Sequence, residues 1–363
     1  MKLLIIGSDT KLFEEGSAVR TRTLRSVDMY DSYVVAVVSR SARYYHQKNI
    51  GAKKNTSFYS VYSPYRVLLF FKALFFLWKV SKDVDVISSQ NPTTHGLIAL
   101  FVSVMRGKRL HIQIHSDFHP SVITCFVVRY AHRIRVVSEV VEQAVAPFAR
   151  CPVDVLPVYI DKTRYQMAEA DESIRACIPD TQFLVLSMSR LESEKKIDAV
   201  IQCAAVIEKK CRGVSFVIVG EGSQKDRLEQ YAKKLGVTRI AFMPWTLTPE
   251  RYYKAADLFI TLSPSEGYGM TIVESLLGGT PVLTTNVGVA SQYIIHGKNS
   301  WIVEKPGSAA VLLERIVTHT EQYNETKKQL QTTDFSAILD FPKHMKAMHD
   351  SYAAALENTP ICR

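Results

Sequence analysis

The chain has 363 residues, of which 47% are apolar, 10% aromatic and 22% charged, a composition that excludes disordered, collagenous and small disulfide-stapled proteins. At roughly 100 to 200 residues per domain, the length predicts two domains with separate cores. The formal charge of +10 is uneven: residues 1–165 carry 23 Lys and Arg against 12 Asp and Glu, and the remainder 22 against 23. The whole excess lies in the first half, which suits either a plainly solvated basic surface or an anionic partner on that side.

Along the chain, the Leu3–Ile6 run is too short for a signal peptide and predicts a first buried strand. Further β-branched runs at 34–38, 84–87, 110–114, 134–137, 183–186, 215–219, 258–262 and 281–284 alternate with helical stretches at 17–30, 65–82, 192–210, 222–235 and 269–277. The runs are continuously apolar, as expected of strands covered on both faces, so a βαβαβ order running twice predicts two doubly wound parallel sheets. The basic-to-neutral change near Pro157–Asp161 suggests a linker; the expected domains are 1–165 and 166–340, with a separate helix in 341–363. The longest apolar stretch, Val67–Val80, would span only ~21 Å as a helix, short of the ~30 Å hydrocarbon core, and contains Lys72 and Lys79. No transmembrane helix is expected. Cys125, Cys151, Cys177, Cys203, Cys211 and Cys362 are scattered without a C-x-x-C pair, which suggests a reducing compartment and no structural metal.

Two such domains can face each other across a cleft in which helix N-termini attract phosphate. Nicotinamide chemistry is disfavoured, since no strand leads into G-x-G-x-x-G and the second strand runs into Ser39-Arg40-Ser41 rather than an acidic residue; a Walker loop is also missing. Three strand ends carry the chemistry. Glu266 and Glu274 bracket a glycine turn, Gly267-Tyr268-Gly269-Met270, which lets backbone N–H groups approach a ligand at a helix start. Arg190 follows one strand, with Lys195 a turn later, and a guanidinium with an ammonium suits a diphosphate. Gly220-Glu221-Gly222 opens a third strand–helix turn. Taken singly, each has a plain structural reading: a glycine turn with Glu274 on a solvated helix face, a solvated basic turn, and a common G-x-G turn.

Together and in this order, over roughly 180–305, the three segments with Met243-Pro244-Trp245 and Gly279-Thr280-Pro281-Val282 resemble the signature of glycosyltransferase family 4. The resemblance implies the α/β GT-B fold, two Rossmann-like domains facing across a cleft with a C-terminal helix. It implies that Arg190 and Lys195 hold the donor diphosphate, Glu274 the ribose, and Glu266 with the amides of Gly267, Tyr268, Gly269 and Met270 the transferred sugar. Gly220, Glu221 and Met243 would border the base. The N-terminal half is similar more loosely: Gly16, with Arg20 and Arg22, matches the family's glycine loop although one glycine replaces the usual pair, and His115 in Gln113–Phe118 matches its histidine loop near the reacting sugar. Ser138-Glu139 matches a less specific feature.

The function implied is retaining transfer of a hexose-type sugar from a UDP- or GDP-sugar to a glycan or lipid-linked acceptor. No cofactor is expected beyond this cosubstrate. Two cations aimed at the leaving phosphate and no D-x-D-type acidic element in the right place lead to an expectation of no metal. A non-catalytic nucleotide-sugar-binding subunit and a nucleotide-sugar epimerase on the same fold are the alternatives. No nucleic-acid partner is expected, because aromatic–basic RNA motifs are missing. The expected location is cytoplasmic, with peripheral attachment to the inner membrane face depending on the stretch Arg66–Lys82. That stretch reads in two ways: as a helix buried all round, or as one laying an aromatic edge and Lys72, Lys79 and Lys82 on an anionic bilayer.

Overall fold

The computed structural model describes residues 1–40, 46–50 and 55–357; Ser41 and Cys362 lie outside them. The chain forms two compact units, Met1–Pro157 together with the C-terminal segment from Phe341, and Val158–Asp340.

The first unit is built on eight strands: β1 (Lys2–Gly7), β2 (Ser32–Ser39), β3 (Gln47–Ile50), β4 (Thr56–Tyr62), β5 (Val86–Ser89), β6 (Arg109–Ile114), β7 (Arg133–Val136) and β8 (Val153–Val155), in the order β3-β4-β2-β1-β5-β6-β7-β8. All neighbours are parallel except the edge pair β3–β4, which is antiparallel. Continuous burial of Leu3–Ile6 and Leu110–Ile114 follows from helices covering both faces. The stretch expected as one helix over 17–30 divides, with an α-helix at Ala18–Ser26 capped by Ser17 and a 3-10 turn at Val27–Met29.

The second unit has six strands: β9 (Phe183–Met188), β10 (Val214–Val219), β11 (Ile240–Met243), β12 (Leu258–Thr261), β13 (Val282–Thr285) and β14 (Trp301–Val303). Their order is β11-β10-β9-β12-β13-β14, all parallel, the doubly wound arrangement in which the winding reverses between β9 and β12. Its core joins Ile197, Val200, Ile201 and Ala204 from the helix Ile197–Lys210 to Phe216 and Ile218 of β10 and Leu313 and Ile316 from the helix Ala309–Thr318.

The C-terminal helix, Phe341–Glu357, packs on β5, β6 and β7 of the first unit. A polar chain fixes it. Gln113 donates to Ser88 Oγ (3.1 Å) and to the Tyr352 hydroxyl (2.9 Å), Ser88 meets His111 Nδ1 (3.0 Å), His111 Nε2 meets Ser351 Oγ (3.1 Å), and Ser351 donates to Asp154 (2.6 Å). Arg133 closes the chain by donating to both Asp154 oxygens at 2.8 and 2.5 Å.

The helix Arg66–Val80 is not buried all round. Only Ala73 and Leu77 are buried, while Val67, Leu68, Phe71, Phe75 and Trp78 stay exposed. The buried pair is spaced at i, i+4, as expected of a single contact stripe against the sheet.

Candidate functional site

In open parallel sheets ligands bind outside the carboxyl ends of strands where the winding reverses. In the second unit that place lies between β9 and β12, which pair through Val185–Leu258 and Leu186–Phe259. The chain leaving β9 carries Arg190 and Lys195; the chain leaving β12 carries Glu266. Here Lys195 Nζ meets Glu266 Oε1 at 2.7 Å, each side chain retaining 17% of its accessible surface. Lys195 closes a 3-10 turn, Ser193–Lys195, and the next residue, Lys196, takes a left-handed backbone (φ +49°) before the helix Ile197–Lys210 begins. An L-residue held there without glycine is a locally strained point next to the cation.

Arg190 stands differently. Its side chain is 68% exposed, and the guanidinium donates to Glu194 at 3.0 Å. The loop that bears it is braced from the neighbouring strand end: Leu191 N donates to Glu221 O (2.8 Å), Gln224 N to Leu191 O (3.0 Å), and Ser223 through N and Oγ to Glu192 (2.8 and 2.6 Å). Those Ser223 bonds hold the Glu192 carboxyl below its ordinary pKa. Gly220 is required by close approach, since a Cβ there would lie 2.0 Å from Ser189 O; its amide donates to Met243 O at 3.0 Å. The Gly220 turn thus supports the Arg190 loop directly, and the Glu221 side chain is exposed beside it.

After β12, Gly267, Tyr268 and Gly269 are buried and Met270 is half-buried. Gly269 takes the left-handed region (φ +87°) as the N-cap of the helix Met270–Leu277, and no side chain caps that helix start. Ile272 N donates to Gly269 O at 3.0 Å, and the amides that precede it at this helix start are of the kind that anionic or polyhydroxyl ligands use. Val289 N donates to Tyr268 O at 2.9 Å, tying the turn to the chain after β13.

Glu274, one turn into that helix, is not on a solvated face. Tyr253, fully buried, donates to Glu274 Oε2 at 3.1 Å, and Tyr165 hydrogen-bonds it as well. Burial raises the Glu274 pKa against the opposing effect of the two phenols and the Arg164 charge. Arg164 in turn pairs with Glu250 at 2.8 Å. Arg164, Tyr165 and Tyr253 belong to this site and were not found from sequence. Tyr253 lies 21 residues upstream and Tyr165 in the short helix Lys162–Gln166, with no motif to mark either.

Two expected residues belong to the first unit. Gly16 (φ +80°) lies in the loop after β1, before Ser17, which caps the first helix. Arg20 is engaged by Leu12 O (3.2 Å) and Gln47 Oε1 (2.8 Å). His115 follows β6, and the buried Arg135 presents Nη1 to its Nδ1 at 3.1 Å while Nη2 donates to Pro157 O at 2.8 Å. A guanidinium only donates, so His115 Nδ1 accepts and Nε2 carries the proton. The surrounding protein, then the Arg135 and Arg22 charges, push its pKa down, although the residue itself keeps an exposed surface. His115 is a neutral donor at neutral pH. Among the described residues, no three His, Cys, Asp or Glu side chains are grouped to hold a metal ion, and no helix is long and apolar enough to cross a membrane.

Residues 170–333 match the family model described as glycosyl transferases group 1. The chain is 27% identical over 231 residues to an alpha-monoglucosyldiacylglycerol synthase of Streptococcus pneumoniae, covering 55% of this chain and 52% of that protein. It is 30% identical over 126 residues to a poly(ribitol-phosphate) alpha-N-acetylglucosaminyltransferase of Staphylococcus aureus, covering 34% and 26%. The chain thus spans about half the length or less of these curated relatives. Among solved structures, it superposes on Anabaena HepE in complex with UDP with a TM-score of 0.76 at 18% identity, over 98% of this chain and 100% of that one. A glycosyltransferase from Rickettsia africae gives 0.75 at 14% identity over 99% of both chains. These likenesses over nearly the full length show the fold to be the GT-B class of two Rossmann-like sheets with a C-terminal helix, and the family-model match is a similarity confined to residues 170–333, within the second unit.

Proposed function

We propose that the chain is a retaining glycosyltransferase of family 4 that moves a hexose-type sugar from a UDP- or GDP-sugar to a glycan or lipid-linked acceptor, without a metal, on the cytoplasmic side of a membrane. The observation that carries it is the Lys195–Glu266 pair at the point where the winding of the second unit reverses. A carboxylate and an ammonium held at that point suit the two halves of a sugar diphosphate. The UDP, and UDP with glucose, held by HepE favour UDP as the nucleotide.

In this reading the second unit binds the donor and the first faces the acceptor. Lys195 and Arg190 neutralise the charge that develops on the departing diphosphate. Glu274, with its position fixed by Tyr253 and Tyr165, accepts the ribose hydroxyls, and Glu266 with the amides of Gly267–Met270 takes the sugar hydroxyls. Gly220, Glu221 and Met243 border the base. Gly16 faces the phosphates, and His115 donates from Nε2 to the transferring sugar, its neutral state kept by Arg135. In same-face transfer the bond from the anomeric carbon to the phosphate oxygen breaks, the acceptor oxygen bonds that carbon, and the acceptor proton passes to the departing phosphate. No side chain need then be a strong base.

A screen of nucleotide sugars by thermal stabilisation, followed by nucleotide diphosphate release, tests the proposal. A donor at 100 times its dissociation constant adds ~2.7 kcal/mol. Stabilisation with no release against any glycan or lipid acceptor would make the chain a binding subunit, and failure of every nucleotide sugar to stabilise it would remove the reading altogether.

A further inference from the structure

Three consecutive crossover helices of the first unit, Arg66–Val80, Thr94–Arg106 and Val122–Arg129, pack side by side. Each buries one stripe: Ala73 and Leu77; Ile98, Ala99 and Val102; Val127 and Val128. Each also exposes a second apolar stripe at helical spacing, Val67-Phe71-Phe75-Trp78, Phe101-Val104-Met105 and Val122-Ile123-Phe126. With Tyr65, Leu68 and Tyr130, these make up more than half of the large apolar side chains that stay exposed among the described residues. Val122 is 89% exposed and Val104 72%. Monomeric surfaces rarely gather so many, and a patch of this kind marks a binding face.

Its charge decides what binds there. None of the three helices contains an aspartate or glutamate, whereas Arg66, Lys72, Lys79, Arg106 and Arg129 lie on them and Lys82 just beyond the first. The helices are stitched together by aromatic contacts: the Phe70 and Phe101 rings lie 6.3 Å apart, and the Arg106 guanidinium sits 4.1 Å over Trp78 while donating to its carbonyl. The amino ends of the first two helices also line a cavity of about 450 Å³ with Arg40, Arg66, Leu69, Phe70, His95 and Ile98. Guanidiniums beside apolar side chains suit an anionic head group at the edge of the face.

We propose that this three-helix face is a docking surface for an anionic phospholipid bilayer. A second copy of the chain would bring like charges together, and a protein partner would have to be acidic and broadly apolar at once. A bilayer rich in anionic lipid offers both properties, taking the aromatic and aliphatic side chains below its head groups and the cations at the phosphate level. This deepens the acceptor-side part of the proposed function from one helix edge to a whole face, but it does not depend on donor chemistry.

Sedimentation with phosphatidylcholine vesicles, with and without phosphatidylglycerol, at low and high salt, is the test. The wild type should pellet with the anionic vesicles at low salt and be released by salt. Replacing Lys72, Lys79 and Lys82 together by Glu should lower partition on the order of 10²-fold or more. Replacing Phe71, Phe75 and Val104 together by Ser should abolish binding at either salt, while thermal stabilisation by UDP stays as in the wild type. The proposal is overturned if the wild type ignores anionic vesicles at low salt, if the serine variant pellets equally well, or if velocity sedimentation shows a wild-type dimer that this variant dissolves. Loss of UDP stabilisation in the wild type would instead strike the donor reading and leave the docking result to stand alone.

Discussion

Lys195 has two partners in the proposed cycle, Glu266 at 2.7 Å and the donor diphosphate, and only the second is involved in lowering the barrier. Lys195→Ala should therefore reduce turnover ~10²- to 10³-fold, with the fold retained by circular dichroism. Arg190→Ala should reduce it too, with almost no change in melting temperature, because exposed pairs such as Arg190–Glu194 contribute roughly 0 to 1 kcal/mol. Near-normal turnover in both variants would remove the phosphate assignment. Glu274 separates function from stability. Its pKa is raised in the fold, so the folded chain holds this proton to higher pH than the unfolded chain, and its contribution to stability falls as pH rises above the ordinary carboxylate range. Glu274→Gln should thus leave the melting temperature at neutral pH unchanged or higher while weakening free UDP or GDP. Glu266→Gln should spare the free nucleotide and weaken only the sugar donor. Equal calorimetric losses of free nucleotide in the two variants would contradict the division of roles. Lys195, Glu266 and Glu274 were legible because their spacing resembles a known signature. Tyr165, Tyr253 and Arg135 were not, since each acts through a contact that only the folded chain creates.

The C-terminal helix depends on a hydrogen-bond chain whose centre is pH-sensitive. His111 is fully buried, accepts at Nδ1 from Ser88 and donates from Nε2 to Ser351, so protonation would set a second donor against Ser88. Burial leads the causes that hold its pKa at about 3, and Asp154 beyond it is held below the usual carboxylate range by Arg133 and Ser351 despite its burial. Both groups bind protons more readily in the unfolded chain. The stability they contribute is therefore complete above about pH 6.5, the ordinary histidine value, and is lost as pH falls towards 3. Hydrogen exchange should show the helix Phe341–Glu357 losing protection over this window before β1 and β2 do, and His111→Asn should flatten the dependence. A pH-independent helix would refute the linkage. Element by element, continuous apolar runs marked the central strands well. Thr56–Tyr62 escaped because its burial alternates, and Ile240–Met243 because an edge strand is only half covered. The helix Arg66–Val80 shows the limit of periodicity: an all-apolar circumference reads the same whether neighbours or a membrane cover it.

At the scale of the whole molecule, the chain leaves the first unit at Pro157 and comes back to it at Phe341, so the second unit is a continuous segment and the first is completed from its far end. The returning helix buries His344, Met348, Ser351, Tyr352 and Ala355. At roughly 1.5 to 3 kcal/mol for each large apolar side chain fully buried, Met348 and Tyr352 alone are comparable with a good part of the ~5 to 15 kcal/mol that holds a domain folded. Their loss would also leave His111, Gln113 and Asp154 without the partners that Ser351 and Tyr352 supply, which adds the cost of unpaired buried polar groups. Removing residues 341–363 should therefore unfold or greatly loosen the first unit. The second unit has its own core, from β9 to the helix Ala309–Thr318, and takes no residue from the deleted segment. Hydrogen exchange on the truncated chain should show protection lost over β5–β8 and kept over β9, β10, β12 and β13, with UDP still adding protection around Lys195 and Glu274. Loss of protection in both units alike would show that they fold as one, and retention of β5–β8 would show that the returning helix is dispensable.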